Sequence, residues 1–368
     1  MSQSVVIGLG FGDEGKGLVT DWLCREKQKP IVVRYSGGHQ VGHCVRTETE
    51  KHVFSNFGSG TIAGAPTIWN AKTVDPVGFC NEYEDIKQFN PIINIDPMCP
   101  VTTPYDKVIN VRTNKENKHS TIGVGFGATI EREENHYHLY FGDLFYPEIR
   151  DRKIDLIIQY YNKLGIIAEV NDLCEFLNSC KKIITLAGKQ NSIKIHPRCG
   201  LDFIYESSQG IMLDMEYGFF PYVTRSRLAT QEIEVSNNTD YYLVTRGYQT
   251  RHGNGPCSHI EFTPNNPNET NVLNEHQGEF KQRVLDLDTL LYAINIDKNI
   301  WKSYKKNLVV TCLDQMETYS YIHKGEQYHF ETEKGFLDSM WDIIKDETFV
   351  NMYVSHGPTA KDISLYKN

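Results

Sequence analysis

Short apolar runs alternate with longer amphipathic stretches along the whole chain. Residues 5–7, 31–34, 92–95, 203–206, 242–245 and 308–311 are rich in β-branched and aromatic side chains, and each run is expected as a strand. Between residues 151 and 188 the period changes. Ile154, Ile157, Ile158 and Tyr161 recur at i, i+3, i+4 and i+7, the spacing of a helix face. Residues 263–278 are polar and rich in Asn and Pro, and are expected as a mobile loop. Strands alternating with helices predict an α/β fold, with a mainly parallel sheet covered by helices. No internal repeat or shift in composition marks a linker.

The first strand run leads into Gly8-Leu-Gly-Phe-Gly-Asp-Glu-Gly-Lys-Gly17, and the amphipathic stretch Leu18-Val-Thr-Asp-Trp-Leu23 follows. Strand, glycine loop and helix in that order bring backbone N–H groups and a helix N-terminus to an anionic ligand. Asp13 and Glu14 are out of place in such a loop, because two carboxylates repel phosphate unless a metal intervenes or they face another group. The segment fits GxGxxG, but the second strand run ends in Arg34-Tyr35 and lacks the acidic residue that a dinucleotide site requires. It also fits GxxxxGK, with Gly17 in place of the usual Ser or Thr. A plain turn leaves Asp13, Glu14 and Lys16 unexplained.

Gly12-Asp-Glu-Gly-Lys-Gly17 resembles the signature of the adenylosuccinate synthetase family. Val33-Arg-Tyr-Ser-Gly-Gly-His-Gln-Val-Gly-His43 is similar to that family's second element, RYxGGHNAGH. Further resemblances lie at Glu206-Ser-Ser-Gln-Gly210, Phe220-Pro-Tyr-Val-Thr224, Thr250-Arg251 with Gly253-Asn-Gly-Pro256, Leu313-Asp314 and His356-Gly-Pro358. The resemblance implies a P-loop-related α/β fold with a large central sheet, one domain over residues 1–368 with helical and loop insertions, and a homodimer. It also implies a two-stage reaction. A nucleoside triphosphate phosphorylates the 6-oxygen of a purine nucleotide, and the amine of L-aspartate then displaces the phosphate.

Carried over residue by residue, the resemblance makes Asp13 the catalytic base and a Mg2+ ligand, and Gly42 the carbonyl that completes the metal site. His43 becomes the histidine that assists phosphoryl transfer. Lys16 becomes a catalytic cation on the triphosphate, with Gly12, Gly15, Gly17 and Gly42 around it. Glu14, Gln40, Gln209 and Thr224 fall where the purine nucleotide is bound, Thr224 on its 5′-phosphate. Ser120 and Thr121 compete for one more hydroxyl contact. Asp314, Gly357 and Pro358 correspond to the donor-base site, and Gln277, Gly278, Lys281 and Arg283 to the aspartate loop. His39, by contrast, reads as a structural hydrogen-bonder.

Several positions depart from the family pattern. The base-reading Thr-Lys-Leu-Asp is Thr311-Cys-Leu-Asp314, so the lysine stem that packs on guanine is absent. Ser120-Thr-Ile-Gly-Val-Gly-Phe-Gly-Ala128 lacks an arginine, and the arginine that a neighbouring subunit lends is missing near His136-Tyr137. His356-Gly-Pro-Thr-Ala-Lys-Asp-Ile363 is similar to the GPTxxD pattern of a phage-encoded branch that joins aspartate to dGMP with ATP or dATP, on the route to diaminopurine DNA. Many members of that branch replace the loop aspartate, whereas Asp13 is retained here. The pattern favours dGMP with ATP or dATP over IMP with GTP. Guanine and hypoxanthine share N1–H and the 6-oxo group, so the choice falls to whatever meets the 2-position, with Ser36, Gln40, Ser207 and Ser208 as polar candidates. Two remoter alternatives are an inactive nucleotide-binding regulator and a P-loop kinase or GTPase.

Composition narrows the partners. A net charge of −9 without a long basic run speaks against a nucleic-acid groove. No apolar run reaches the roughly 20 residues that a membrane helix needs, and the start of the chain has no targeting pattern. The nine cysteines are scattered without a CxxC pair, which fits reduced thiols in a cytoplasm, the host's if the protein is phage-encoded.

Overall fold

The computed structural model describes residues 2–117, 122–188, 200–267, 269 and 278–368. All six expected strands form, and they lie in one nine-stranded sheet. In spatial order its strands are Ile363–Lys367, Phe349–Ser355, Lys306–Thr311, Asp240–Arg246, Ser2–Gly8, Asp202–Gly210, Pro30–Arg34, Thr67–Trp69 and Ile93–Ile95. Every neighbouring pair is parallel except the first, where Ile363–Lys367 runs antiparallel to Phe349–Ser355.

The continuous apolar runs of the central strands follow from burial on both faces. Val5 and Ile7 join Leu243, Leu308 and Val310 in one core, beneath helices Leu287–Ile296 and Glu333–Ile344. Val6, Val244 and Val309 point the other way and pack on Val19 and Leu23 of helix Lys16–Glu26. A separate core, built on Trp69, Phe79, Tyr161 and Phe176, holds the helices that follow the strands Thr67–Trp69 and Ile93–Ile95.

The helical stretch expected over residues 151–188 is two helices, Pro147–Lys163 and Val170–Gly188. The first ends where Gly165 turns left-handed at φ 69°. There the N–H of Gly165 donates to the Asn162 carbonyl and that of Ile166 to the Tyr161 carbonyl, both at 3.0 Å, the paired closure of a Schellman motif. Of the expected loop 263–278, residues 263–267, 269 and 278 lie outside helices and strands, and the rest fall outside the described residues. No helix among the described residues is long and apolar enough to cross a membrane.

The loops after the strands Ser2–Gly8, Pro30–Arg34, Asp240–Arg246, Lys306–Thr311 and Phe349–Ser355 all leave the carboxyl end of the parallel sheet. Ligands of open parallel sheets bind at that end.

Candidate active site

The glycine loop turns left-handed at Gly12 (φ 100°), Asp13 (φ 58°) and Gly15 (φ 92°). This conformation is uncommon outside glycine, although Asp adopts it more readily than most residues, and neighbouring strands hold it. Arg246 Nε donates to the Asp13 carbonyl, and Thr250 Oγ1 donates to the Gly12 carbonyl at 3.2 Å. Asp13 and Glu14 consequently face opposite ways.

Glu14, expected at the nucleotide, is buried inside its own loop. Its Oε1 accepts from the N–H groups of Gly10 (3.0 Å) and Gly12 (2.8 Å), and its Oε2 from Lys16 Nζ at 2.7 Å. Two amides and an ammonium satisfy the carboxylate more fully than a surface position would. Asp13 turns outward, where its Oδ2 lies 3.1 Å from His252 Nε2. Burial pushes its carboxyl upward, but the hydrogen bond from His252 and the charges of Arg246, His252 and Lys16 outweigh it, so Asp13 is held below the usual carboxylate range. The helix Lys16–Glu26 opens with neither a side-chain cap nor an acidic residue in its first turn, so its leading N–H groups stay available to an anion.

The second motif packs directly against this helix. A Cβ on Gly17 would stand 2.9 Å from the Cys44 carbonyl oxygen and 3.1 Å from His43 Cβ, which explains the absence of Ser or Thr there. His43 is buried, with Nδ1 2.7 Å from Glu206 Oε1 and Nε2 2.8 Å from the Ser208 carbonyl. Both partners are acceptors, so only a doubly protonated ring keeps both contacts. Burial nonetheless draws the ring below its ordinary value, with Glu206 opposing and the Arg34 and Lys16 charges assisting. We assign the downward direction, since removing an imidazolium from water is the largest cost. For Glu206, burial pushes upward, but the charges of His43 and Arg34 and the hydrogen bonds from His43 and Ser59 bring its carboxyl down to about 2. The charge of Lys16 reaches both Asp13 and His43.

Gln40 folds over the Gly37–Gly38 turn, and both ends of its amide are buried without a hydrogen-bond partner. Gln209 Oε1 is likewise unpartnered. The serines are not. Ser36 Oγ accepts from the Ser208 N–H (3.0 Å) and donates to Ser208 Oγ (3.2 Å), and Ser207 Oγ donates to the Leu228 carbonyl at 3.1 Å. Thr224 is half-buried, and Ser226 ties its segment to the turn by accepting from the Gly37 N–H at 2.9 Å. Gly42 is exposed on the same motif. His39 bonds Thr73 Oγ1 and the Val124 carbonyl, as a structural histidine does.

The donor-base positions also converge. Asp314 lies at the surface, and partial withdrawal from water raises its carboxyl above the usual range, with the Asp362 charge assisting and His356 opposing. A Cβ on Gly357 would collide with the Asp362 carboxylate, which accepts from the Thr359 N–H (2.8 Å) and hydroxyl (2.7 Å). Thr359 and Asp362 of the GPTxxD pattern are therefore spent on each other, closing the loop that carries Gly357 and Pro358.

Two of the expected aspartate residues, Lys281 and Arg283, alternate away from the side that carries His252. Strand Phe280–Arg283 pairs antiparallel with Gln249–His252, setting Phe280 opposite His252 and Gln282 opposite Thr250 on the face toward the glycine loop. Lys281 and Arg283 alternate to the other face. Lys281 Nζ donates to the Gly255 carbonyl at 3.5 Å, and Arg283 pairs with Glu261 at 3.4 Å. Gly278, left-handed at φ 74°, precedes the strand. Ser120, Thr121 and Gln277 fall outside the described residues. His252, Arg246 and Ser59 were not anticipated. His252 lies between two matched segments, Thr250-Arg251 and Gly253–Pro256, and its own residue type carried no signal.

A left-handed glycine loop opening a helix at the carboxyl end of a parallel sheet defines a phosphate-loop-like α/β protein. The chain belongs to the adenylosuccinate synthetase family, whose model matches residues 5–353. The adenylosuccinate synthetase of Bordetella avium is 33% identical over 282 residues, spanning 70% of this chain and 64% of that protein. That of Buchnera aphidicola subsp. Baizongia pistaciae is 29% identical over 92% of this chain and 83% of its own. Among solved structures, fully ligated adenylosuccinate synthetase from Plasmodium falciparum superimposes with a TM-score of 0.79 at 16% identity, over 100% of both chains. Cyanophage S-2L succinoaminodeoxyadenylate synthetase, bound to dGMP and dATP, superimposes with a TM-score of 0.66 at 14% identity, over 99% and 96%. At such identities these two structures attest the fold.

Proposed function

We propose that the chain is a ligase that joins L-aspartate to the 6-position of a purine nucleoside monophosphate, driven by a nucleoside triphosphate. The observation that carries this reading is Asp13, an ionised carboxylate facing out of a glycine loop whose other carboxylate is neutralised internally. Asp13 takes the N1 proton and makes the 6-oxygen nucleophilic. Lys16 and the free N–H groups of the first helical turn hold the transferring phosphoryl group. His43, oriented by Glu206, would have to turn its Nε2–H from the Ser208 carbonyl to the phosphoryl oxygens as charge builds on them.

Asp13 also fits magnesium, a hard cation commonly bound through one or two carboxylates together with substrate phosphates. Among the described residues no three His, Cys, Asp or Glu side chains form a cluster of their own, so the ligands would be Asp13, the Gly42 carbonyl and phosphate oxygens. Bound there, the ion would neutralise phosphate charge.

For the acceptor we favour dGMP, giving 2-amino-2′-deoxyadenylosuccinate. The serine hydroxyls are engaged, but the Gln40 and Gln209 side chains keep unpartnered acceptor oxygens that suit a 2-amino group. IMP is the second reading, favoured by the Bordetella avium relative. Cys312 in place of the lysine stem weakens the case for GTP, and ATP or dATP as donor rests on the resemblance to the dGMP branch. GTP remains its rival, because the Asp314 carboxylate only accepts and so matches guanine N1–H with its 2-amino group. A homodimer belongs to the same reading, and Tyr146, Ile149, Leu156, Ile167 and Val170 are exposed apolar side chains that a second copy would cover.

The reaction class is tested by phosphate release from each triphosphate with a purine monophosphate, with and without aspartate. Strict dependence on aspartate is expected. Equal release without it would mark a kinase or a triphosphatase.

A further inference from the structure

Among the described residues, three groups restrain the Gly12–Asp13 segment, from the strand Asp240–Arg246 or the strand Gln249–His252. Arg246 and Thr250 hold backbone carbonyls of the loop, and His252 holds the carboxylate itself, at 3.1 Å. The ring has its own support. His252 stands opposite Phe280 in the antiparallel pair, and the two ring centroids are 4.6 Å apart with a 40° tilt. The strand carrying Lys281 and Arg283 thereby sets the plane of the imidazole.

We propose that His252 is a positioning residue for the base. Its Nε2–H engages a single lone pair of Asp13 Oδ2 and leaves Oδ1 for the N1–H of the purine, so the carboxylate keeps acceptor capacity for a cation. A carboxylate without such a partner samples several side-chain rotamers. One hydrogen bond to one oxygen removes that freedom before the nucleotide arrives, so the ordering cost is not charged to the reaction. His252 acts through Asp13 and touches no reacting atom. This inference rests on the reading of Asp13 as the base.

Two substitutions separate the hydrogen bond from the ring. His252→Phe keeps an aromatic ring against Phe280 and removes the donor. His252→Gln loses the ring and keeps an N–H at about the reach of Nε2. With both variants shown to be folded by thermal melting, kcat, the KM for the purine nucleotide and its equilibrium binding without a triphosphate are measured. The expected result is a kcat lowered about 10- to 100-fold in His252→Phe, the usual range for an outer partner of an active group. Binding should stay within about threefold, and His252→Gln should return kcat to within about threefold of the parent. A normal kcat in His252→Phe overturns the proposal, as does a His252→Gln enzyme no better than His252→Phe. Asp13→Asn, run in parallel, isolates the underlying reading. Full turnover in Asp13→Asn removes the base itself. An inactive Asp13→Asn beside a normal His252→Phe removes only the positioning role.

Discussion

At the scale of single residues, adjacent carboxylates acquire opposite environments because the backbone turns left-handed between Gly12 and Gly15. Glu14 becomes an internal anion that the loop's own amides and Lys16 neutralise, while Asp13 is left facing the site. The presence of two acids in a phosphate loop is plain in the sequence, but their directions depend on φ angles that residue types do not encode. Glu206 gives a prediction at this scale. Its carboxyl sits near 2 in the folded chain, against an ordinary 4.5. A depressed carboxyl contributes stability that is present in full above the unfolded value and is lost as pH falls toward the folded one. Chemical denaturation between pH 5 and pH 2 should therefore show a steep loss of stability, shallower in Glu206→Gln. An identical slope in the two proteins would mean that His43 and Arg34 do not hold the charge. Asp13→Asn should bind purine nucleotide and lose turnover by at least about 100-fold, the loss expected for a general base. Initial rates with matched binding data decide this.

At the scale of elements, five of the six expected runs lie inside the sheet and were legible because burial on both faces makes a strand apolar throughout, whereas Ile93–Ile95 is an edge strand. The other strands hid their signal. Thr67–Trp69 has three residues, Phe349–Ser355 is interrupted by Asn351, and the edge strand Ile363–Lys367 mixes exposed and half-buried positions. The helix break at Gly165 was illegible to periodicity, since the apolar spacing resumes after it. Two glycines now make contrasting predictions. Gly165 is left-handed with nothing within 4 Å of a new Cβ, so Gly165→Ala should cost about 1–2 kcal/mol of stability through backbone strain alone and leave turnover unchanged. Gly17 has an allowed conformation but no room, so Gly17→Ala should displace the His43 segment and reduce turnover. Thermal denaturation and initial rates on the two variants separate the effects. Equal loss of activity in both would show that the helix–motif packing is not what positions His43.

At the scale of the whole molecule, the site is assembled from segments more than 300 residues apart, all delivered to the carboxyl end of one sheet. The two glycine motifs are read directly from the chain because each is local. His252 and Arg246 are not, since they reach Asp13 through parallel pairing of Ser2–Gly8 with Asp240–Arg246 and the strand that follows. The C-terminal GPTxxD pattern shows the converse limit. Its Thr359 and Asp362 bind each other and close the loop that carries Gly357 and Pro358. The choice of acceptor therefore rests on the unpartnered Gln40 and Gln209 oxygens. It is decided by offering dGMP and IMP together with aspartate and each of ATP, dATP and GTP, and identifying the product by mass. The account predicts the aspartate adduct of dGMP, formed with ATP or dATP. An adduct of IMP alone would contradict the choice of acceptor, and no aspartate adduct of either nucleotide would contradict the ligase.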